Sequence, residues 1–367
     1  MSEMSADLVS AVRSMIERIE IDTRTPAEHT DDALWEALRE SGFTSIDVPE
    51  AAGGHGGDTA DATSVLTTIA ESGALVPYAE HAMLAAWLAG SAGHELPDAT
   101  ATIAVADADL ALDADGEQAY VTGVLRDVVH VSAASVVVAL VPGDGDRPAQ
   151  VATLPLDHPG VSVSAGADLL GASIGDVTLD RVPAIGVAET PVDAERLRER
   201  GALVYAAALA AAARAVCDRT LQYASERVQF GRPLTKFQAV QQRLATLAAL
   251  ATMMEVASSR AVAAGDGDPV LAEVSTAAAK VVTSLYGHAV AAAGHQIHGA
   301  IGFTSEHSLG RFTTALWTWR DRHGTEREWA SGLAGRILDD GLDPWDLITG
   351  TVDDATRLPA SAEGQAQ

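Results

Sequence analysis

The stretch Ser225–Leu244, SERVQFGRPLTKFQAVQQRL, makes two long helices meet at a corner. Before it, VYAAALAAAARAVCDRTLQYASERVQF is alanine-rich with apolar residues at helical spacing. After it, FQAVQQRLATLAALATMMEVASSRAVAA resumes that period. Gly231 and Pro233 supply a stop and a re-entry signal between them. The corner carries Arg227, Phe230 and Gln238. A guanidinium pairs with phosphate in a bidentate way and an aromatic covers a ring, so the trio suits a planar anionic ligand. It also suits a plain helical hairpin with a solvated arginine.

Helical patterning also governs the start of the chain. LVSAVRSMIERI has apolar residues three and four apart, and DDALWEALRESGF starts at Asp31 or Asp32 as N-cap and stops at Gly42. FTSIDVPEAAGGHGG then reads as an extended piece ending in a tight glycine-rich connection, since it lacks the Lys-Ser/Thr of a phosphate-binding loop. From about Ala101 the pattern changes to six or so short β-branched runs, such as QAYVTGVL, SVVVALV and DVTLDRVPA, separated by Gly, Asp and Pro clusters. Strands without intervening helices predict an antiparallel sandwich or barrel. The expected organisation is an N-terminal helical domain (1–98), a central antiparallel β domain (99–190), a C-terminal four-helix bundle (191–345) and a polar tail (346–367), an α+β multidomain chain.

Composition narrows the function classes. A formal charge of −27 argues against nucleic acid or an anionic membrane as partner, since both need clustered Lys and Arg. The longest apolar runs, such as GALVYAAALAAAA, are broken by Arg or Asp before membrane-spanning length, and no signal pattern precedes the first helix, so a soluble cytoplasmic protein is expected. The single cysteine, Cys217, excludes an internal disulfide and a multi-cysteine metal site, and its place among alanines reads as a small buried hydrophobe.

The corner pattern R-x-x-F-G-[RK]-x-[LI]-x-x-[FH]-Q resembles the acyl-CoA dehydrogenase family. A second element, carried by Gly42, Phe43, Val48, Pro49, Glu50, Gly53, Gly54 and Gly56, resembles the one that closes the family's early helices. Helix block, β block and helix block is also the family's order, so the resemblance covers about residues 5–345. It implies FAD-dependent α,β-dehydrogenation of an acyl-CoA thioester, in which a carboxylate removes the α-proton while the β-hydrogen leaves as hydride. It also implies an electron-transferring flavoprotein as acceptor.

In the family, residues of the corner reach a partner subunit's FAD across a dimer interface, which the resemblance carries to Arg227, Phe230 and Gln238. A further such element, Q-[IV]-x-G-G-x-G-[FY], matches Gln296, Ile297, Gly299, Gly302 and Phe303, with Ala300 in place of its second glycine, where a methyl crowds a backbone approach to the pyrophosphate. The parts that hold a subunit's own flavin look damaged. The hairpin is recognisable at Asp115, Gly116, Tyr120, Val121 and Gly123, yet no Thr-Glu-Pro or Gly-Ser-Asp precedes it. LRDVVHVSAA then replaces the aromatic and threonine that pack on the isoalloxazine.

The family's Glu-Gly-Thr falls on His323, Gly324 and Thr325, which makes His323 a candidate base and Thr325 a candidate cofactor contact, or leaves His323 merely filling a degenerate site. Glu255, the acidic residue on the helix after the corner, is the other candidate base, unless it points to solvent. Asp218 is either near substrate or a surface carboxylate paired with Arg219 or Arg214. His295 and His298 have metal-like spacing without a third ligand in pattern, so no metal is expected.

A chain that keeps what it lends to a neighbour's FAD and lacks what holds its own fits beside a different, intact subunit. Some bacterial acyl-CoA dehydrogenases, including ones acting on steroid side-chain thioesters, are α2β2 heterotetramers of this kind. The resemblance thus implies the flavin-site-degenerate subunit of such a heteromer. A self-sufficient homo-oligomeric dehydrogenase and a non-catalytic CoA-binding scaffold of the same fold stay open beside it.

Overall fold

The computed structural model describes residues 3–349 apart from 108–109, 116–117, 144–146 and 266. Three helices, α1 (Glu3–Arg18), α2 (Asp32–Glu40) and α3 (Thr59–Ser72), are followed by a π-helical stretch, Ala79–Ala86, that runs into α4 (Trp87–Ser91). Asp31 does not cap α2 with its side chain; its carboxylate instead accepts from the Leu75 amide at 2.6 Å, tying α2 to the chain beyond α3. The segment expected to be extended between α2 and α3 turns twice, through short 3-10 turns at Phe43–Ser45 and Glu50–Ala52. Its glycines make the tight connection possible, for a Cβ at Gly54 would lie 1.8 Å from the Val48 carbonyl oxygen.

Eight strands form two four-stranded sheets instead of the six or so runs expected. They are β1 (Ala101–Val105), β2 (Ala111–Asp115), β3 (Gln118–Val129), β4 (Val136–Val141), β5 (Gln150–Pro155), β6 (Val161–Ala167), β7 (Ser173–Pro183) and β8 (Gly186–Glu189). The sheet orders are β1-β4-β5-β8 and β2-β3-β7-β6. Pairing is antiparallel except for β1 against β4, because β1 enters from the N-terminal helices and its neighbour arrives after the long β2–β3 hairpin. Val121, Leu125, Val137, Ala152, Leu154, Val177 and Leu179 fill the space between the sheets. Of the hairpin residues, Asp115, Tyr120, Val121 and Gly123 lie on β2 and β3, and Gly116 lies outside the described residues.

The second helical block is built on α5 (Ala194–Glu226), whose start is capped by Asp193 accepting from the Arg196 amide at 2.7 Å. Around it pack α6 (Gln238–Ala264), α7 (Pro269–His298) and α8 (Leu309–Trp319), with α9 (Glu326–Leu338) and α10 (Pro344–Thr349) beyond. The expected polar tail thus begins as helix, and residues 350–367 lie outside the described residues. Ala206–Ala213 of α5 are all buried; small side chains let the neighbouring helices come close on every side. By length and composition α5 and α6 could cross a membrane, which the run-by-run reading missed, but 89% of the apolar window of α5 is inside the core. In α6 only 33% is, and Met253 and Val256 point outward. Cys217 is buried on α5, as its alanine surroundings predicted.

Candidate functional site

The corner is a two-residue hairpin. After α5 the chain pairs Gln229 with Arg232 and Val228 with Pro233, so Phe230 and Gly231 form the turn, with φ of 52° and 77°. Two positive φ values suit a hairpin turn, but for a phenylalanine they are strained, and strain of this kind tends to gather where function needs it. Phe230 is 92% exposed, and Arg227 and Gln238 are exposed beside it. Among the described residues no carboxylate pairs with Arg227. Arg227, Arg232, Lys236 and Arg243, all exposed, share this stretch with one carboxylate, Glu226, in a chain that is acidic as a whole.

The second matching element sits at the same end of the bundle. Ala224, Leu244 and Ile297 pack together, the Tyr223 hydroxyl donates to the His298 carbonyl at 3.2 Å, and the Tyr223 and His298 rings stack at 4.4 Å. Beyond them Gln296, Gly299, Ala300, Phe303, His288, His295 and Trp317 line a groove of about 520 Å³. Gly299 adopts φ 65° and ψ −144°, which only glycine takes readily, whereas Ala300 needs no positive φ and is exposed, so its methyl is accommodated without strain. Nε2 of His295 meets the Thr313 hydroxyl at 2.9 Å, and its ring stacks on Phe303 at 4.4 Å. The exposed Phe303 ring and the exposed cations of the corner suit a planar anionic group.

A different cleft, of about 500 Å³, lies between the β domain and the loop after α8. Glu80, Arg126, Asp127, Val129, Tyr205, Asp321, Arg322 and His323 are among its lining residues. The segment that replaced the flavin-packing aromatic is turned to ion pairing. Arg126 meets Asp107 at 3.1 Å and Asp176 at 3.7 Å, and Asp127 takes a φ of 51° with its amide on the Asp176 carboxylate. Farther in, the Tyr205 hydroxyl donates to Glu80, and Nε2 of His130 lies 3.8 Å from the same carboxylate. Burial raises Tyr205 well above the phenol range, keeping its proton in place, and lowers His130. Three carboxylates and a tyrosine whose ring is already stacked do not make a seat for an isoalloxazine. This cleft does not fit a flavin.

His323 stands at the cleft's inner edge, with a φ of 53° and its ring stacked on Tyr205 at 5.7 Å. It fits because residue 201 is glycine: a Cβ there would lie 2.1 Å from His323 Cγ. The loop that carries it is pinned from several sides. The buried Lys280 ammonium donates to the Trp319 and Arg320 carbonyls at 3.3 and 2.7 Å, Trp329 Nε1 donates to the His323 carbonyl at 3.0 Å, and Arg322 pairs with Asp168 at 3.0 Å. Burial pushes the Lys280 ammonium down to about 7 and the His323 imidazole down to about 4. The imidazole is therefore neutral at pH 7.

The remaining candidates fall elsewhere. Thr325 caps α9: its hydroxyl accepts from the Glu328 amide at 3.3 Å and donates to the Glu328 carboxylate at 3.0 Å, so its polar atoms are occupied by the helix start. Asp218 and Glu255 both pair with Arg214, at 2.9 and 3.5 Å, and Arg214 and Glu255 line a separate cleft between α3, α5 and α6. Asp218 has the helix-surface ion pair expected of it in one of its two readings. The two candidate bases do not share a cleft. Among the described residues no group of three or more metal-ligating side chains could hold a metal ion. The inner residues Glu80, Tyr205, Gly201 and Lys280 went unnoticed in the sequence, although a lone Glu in VPYAEHAMLAAW and a lone Lys in STAAAKVVTS are signals of a buried charge in an apolar helix.

Residues 3–96 match the acyl-CoA dehydrogenase N-terminal domain and residues 192–326 the acyl-CoA dehydrogenase C-terminal domain. The chain is 32% identical to the acyl-CoA dehydrogenase IpdE2 of Mycobacterium tuberculosis over 76% of its own length and 78% of that protein. It is 30% identical to the acyl-CoA dehydrogenase FadE27 of the same organism, over 78% of its length and 82% of that protein. The ChsE4–ChsE5 complex from Mycobacterium tuberculosis contains a chain of the same fold, with a TM-score of 0.75 at 24% identity over 92% of this chain and 98% of that one.

Proposed function

Because the chain belongs to the acyl-CoA dehydrogenase family, we propose that it acts as one subunit of a heteromeric acyl-CoA dehydrogenase and lends its outer corner to FAD held mainly by a different subunit. The observation that carries this reading is an asymmetry. The outward groove and corner present exposed cations and the Phe230 and Phe303 rings, while the inward cleft is lined by three carboxylates and by a Tyr205 ring already stacked on His323. The two relatives support the dehydrogenase part of it, and a solved complex of two different proteins, one of this fold, supports the pairing.

FAD, when bound, supplies the hydride-accepting chemistry of α,β-dehydrogenation. On this reading Arg227 pairs with a phosphate of the cofactor and Phe230 covers a flat face. Gln238 and Gln296 donate or accept at polar edges, and the backbone at Gly299 and Ala300 approaches the pyrophosphate. Neither candidate base of this chain is free to take the α-proton: His323 is stacked on Tyr205 and packed against Gly201, and Glu255 is engaged with Arg214 in another cleft. The base and the acyl-CoA then belong to the partner, and the electron acceptor is an electron-transferring flavoprotein. The test is an acyl-CoA dehydrogenation assay with an artificial electron acceptor on each chain alone and on the co-expressed pair. Turnover by the pair and none by this chain alone is expected. Turnover by this chain alone at the rate of the pair would end the reading.

A further inference from the structure

Two cavities meet at one wall inside this chain. The outer cleft of about 500 Å³ opens between the β domain and the loop after α8. Behind it lies a smaller chamber of about 40 Å³, lined mainly by apolar residues of α3, α5 and the segment between α3 and the π-helical stretch, including Leu66, Ile69, Leu75, Val76 and Ala208. Glu80, Val129, Tyr205 and Arg322 line both. Tyr205 and Glu80 are each 3% exposed, and the Tyr205 hydroxyl donates to the Glu80 carboxylate across the gap between α5 and the π-helical stretch.

We infer that the Tyr205–Glu80 pair is a plug that keeps an acyl chain from entering this chain's own interior. The pair is well placed to be rigid. His323 stacks on one side of the Tyr205 ring at 5.7 Å, and the Trp319 ring lies 6.4 Å from it. Arg322, fixed by Asp168, and His130 beside Glu80 add charge or polarity on the remaining sides. An alkyl chain coming from the outer cleft would have to displace a buried hydrogen bond to a carboxylate and leave both groups unpaired against hydrocarbon, which strongly disfavours entry. The apolar chamber beyond shows what the pair withholds: with the ring removed, it would join the outer cleft as a tunnel lined by Leu, Ile, Val and Ala.

The inference deepens the shared-site reading, on which acyl-CoA belongs to the partner, but it is tested without FAD. The full-length chain is titrated calorimetrically with CoA and with octanoyl-CoA. The native chain is expected to bind the two equally or to bind neither, because the plug denies the acyl chain any contact. Tyr205→Ala, and Tyr205→Val as the milder change, are expected to favour octanoyl-CoA over CoA by about tenfold or more, as the burial of two methylenes would supply. A native chain that already prefers octanoyl-CoA by about tenfold overturns the inference, and so do folded Tyr205→Ala and Tyr205→Val proteins with no gain. Failure here leaves the cofactor reading untouched, and failure of that reading leaves these titrations unchanged.

Discussion

Replacing Arg227 with Ala in this chain leaves the co-purified heteromer binding FAD about a hundredfold more weakly, which corresponds to roughly 3 kcal/mol. The size follows from the side chain's surroundings. Arg227 closes α5, its amide donating to the Tyr223 carbonyl at 2.8 Å and its carbonyl accepting from the Leu234 amide at 2.9 Å, so its backbone is held at both ends of the turn. Its guanidinium is exposed and, among the described residues, has no carboxylate partner. A positioned fork with no competing ion pair gives its full bidentate strength to a phosphate. Arg227→Lys keeps the charge but not the fork and should fall between the two. Flavin content after gel filtration reads the loss directly, and an Arg227→Ala heteromer that keeps native flavin affinity would remove the corner from the cofactor site.

Arg200→Met is the substitution expected to cost most in stability. Arg200 is a partly buried cation of α5 whose Nη2 meets Asp47 at 2.5 Å, whose Nε donates to the Met83 carbonyl at 2.9 Å, and whose Nη1 meets the Thr59 hydroxyl at 3.1 Å. Its guanidinium also lies 4.7 Å over the Trp87 ring. These contacts join α5 to three segments of the N-terminal helical domain. Burial lowers the pKa of the guanidinium, while Asp47 pulls it back up. Removing the cation leaves the Asp47 carboxylate without its partner, and breaking such a buried pair costs about 3–5 kcal/mol. A melting temperature about 5 °C below the native value is the expected result by differential scanning calorimetry. A drop under about 2 °C would show that solvent already satisfies the pair.

What could be read from the chain beforehand was local. The order of helices, strands and helices follows from periodicity, and the structure has N-terminal helices, a central β region and C-terminal helices in that order. The corner and the Gln296–Phe303 element are short contiguous motifs, so their residues could be named from the string, though not that packing of Ala224, Leu244 and Ile297 sets them at one end of the bundle. The inner cluster was illegible for a physical reason. Glu80 comes from a π-helical stretch, His130 from the end of β3, Tyr205 from the middle of an alanine run and His323 from a loop, and no spacing along the chain connects them. The segment from Phe43 to Ala52 was misread as extended because Pro49 and the glycines suit extended chain and 3-10 turns alike. The parallel β1–β4 pair was missed because strand direction depends on where the chain re-enters the sheet.

The central claim, that this chain shares a cofactor instead of holding one, is tested most directly by flavin absorbance per polypeptide, measured with native mass on the chain alone and on the chain co-expressed with its dehydrogenase partner. A colourless chain alone and one FAD for each unlike pair of chains in the complex are expected. A yellow preparation of this chain alone, with one FAD per polypeptide, would contradict the claim.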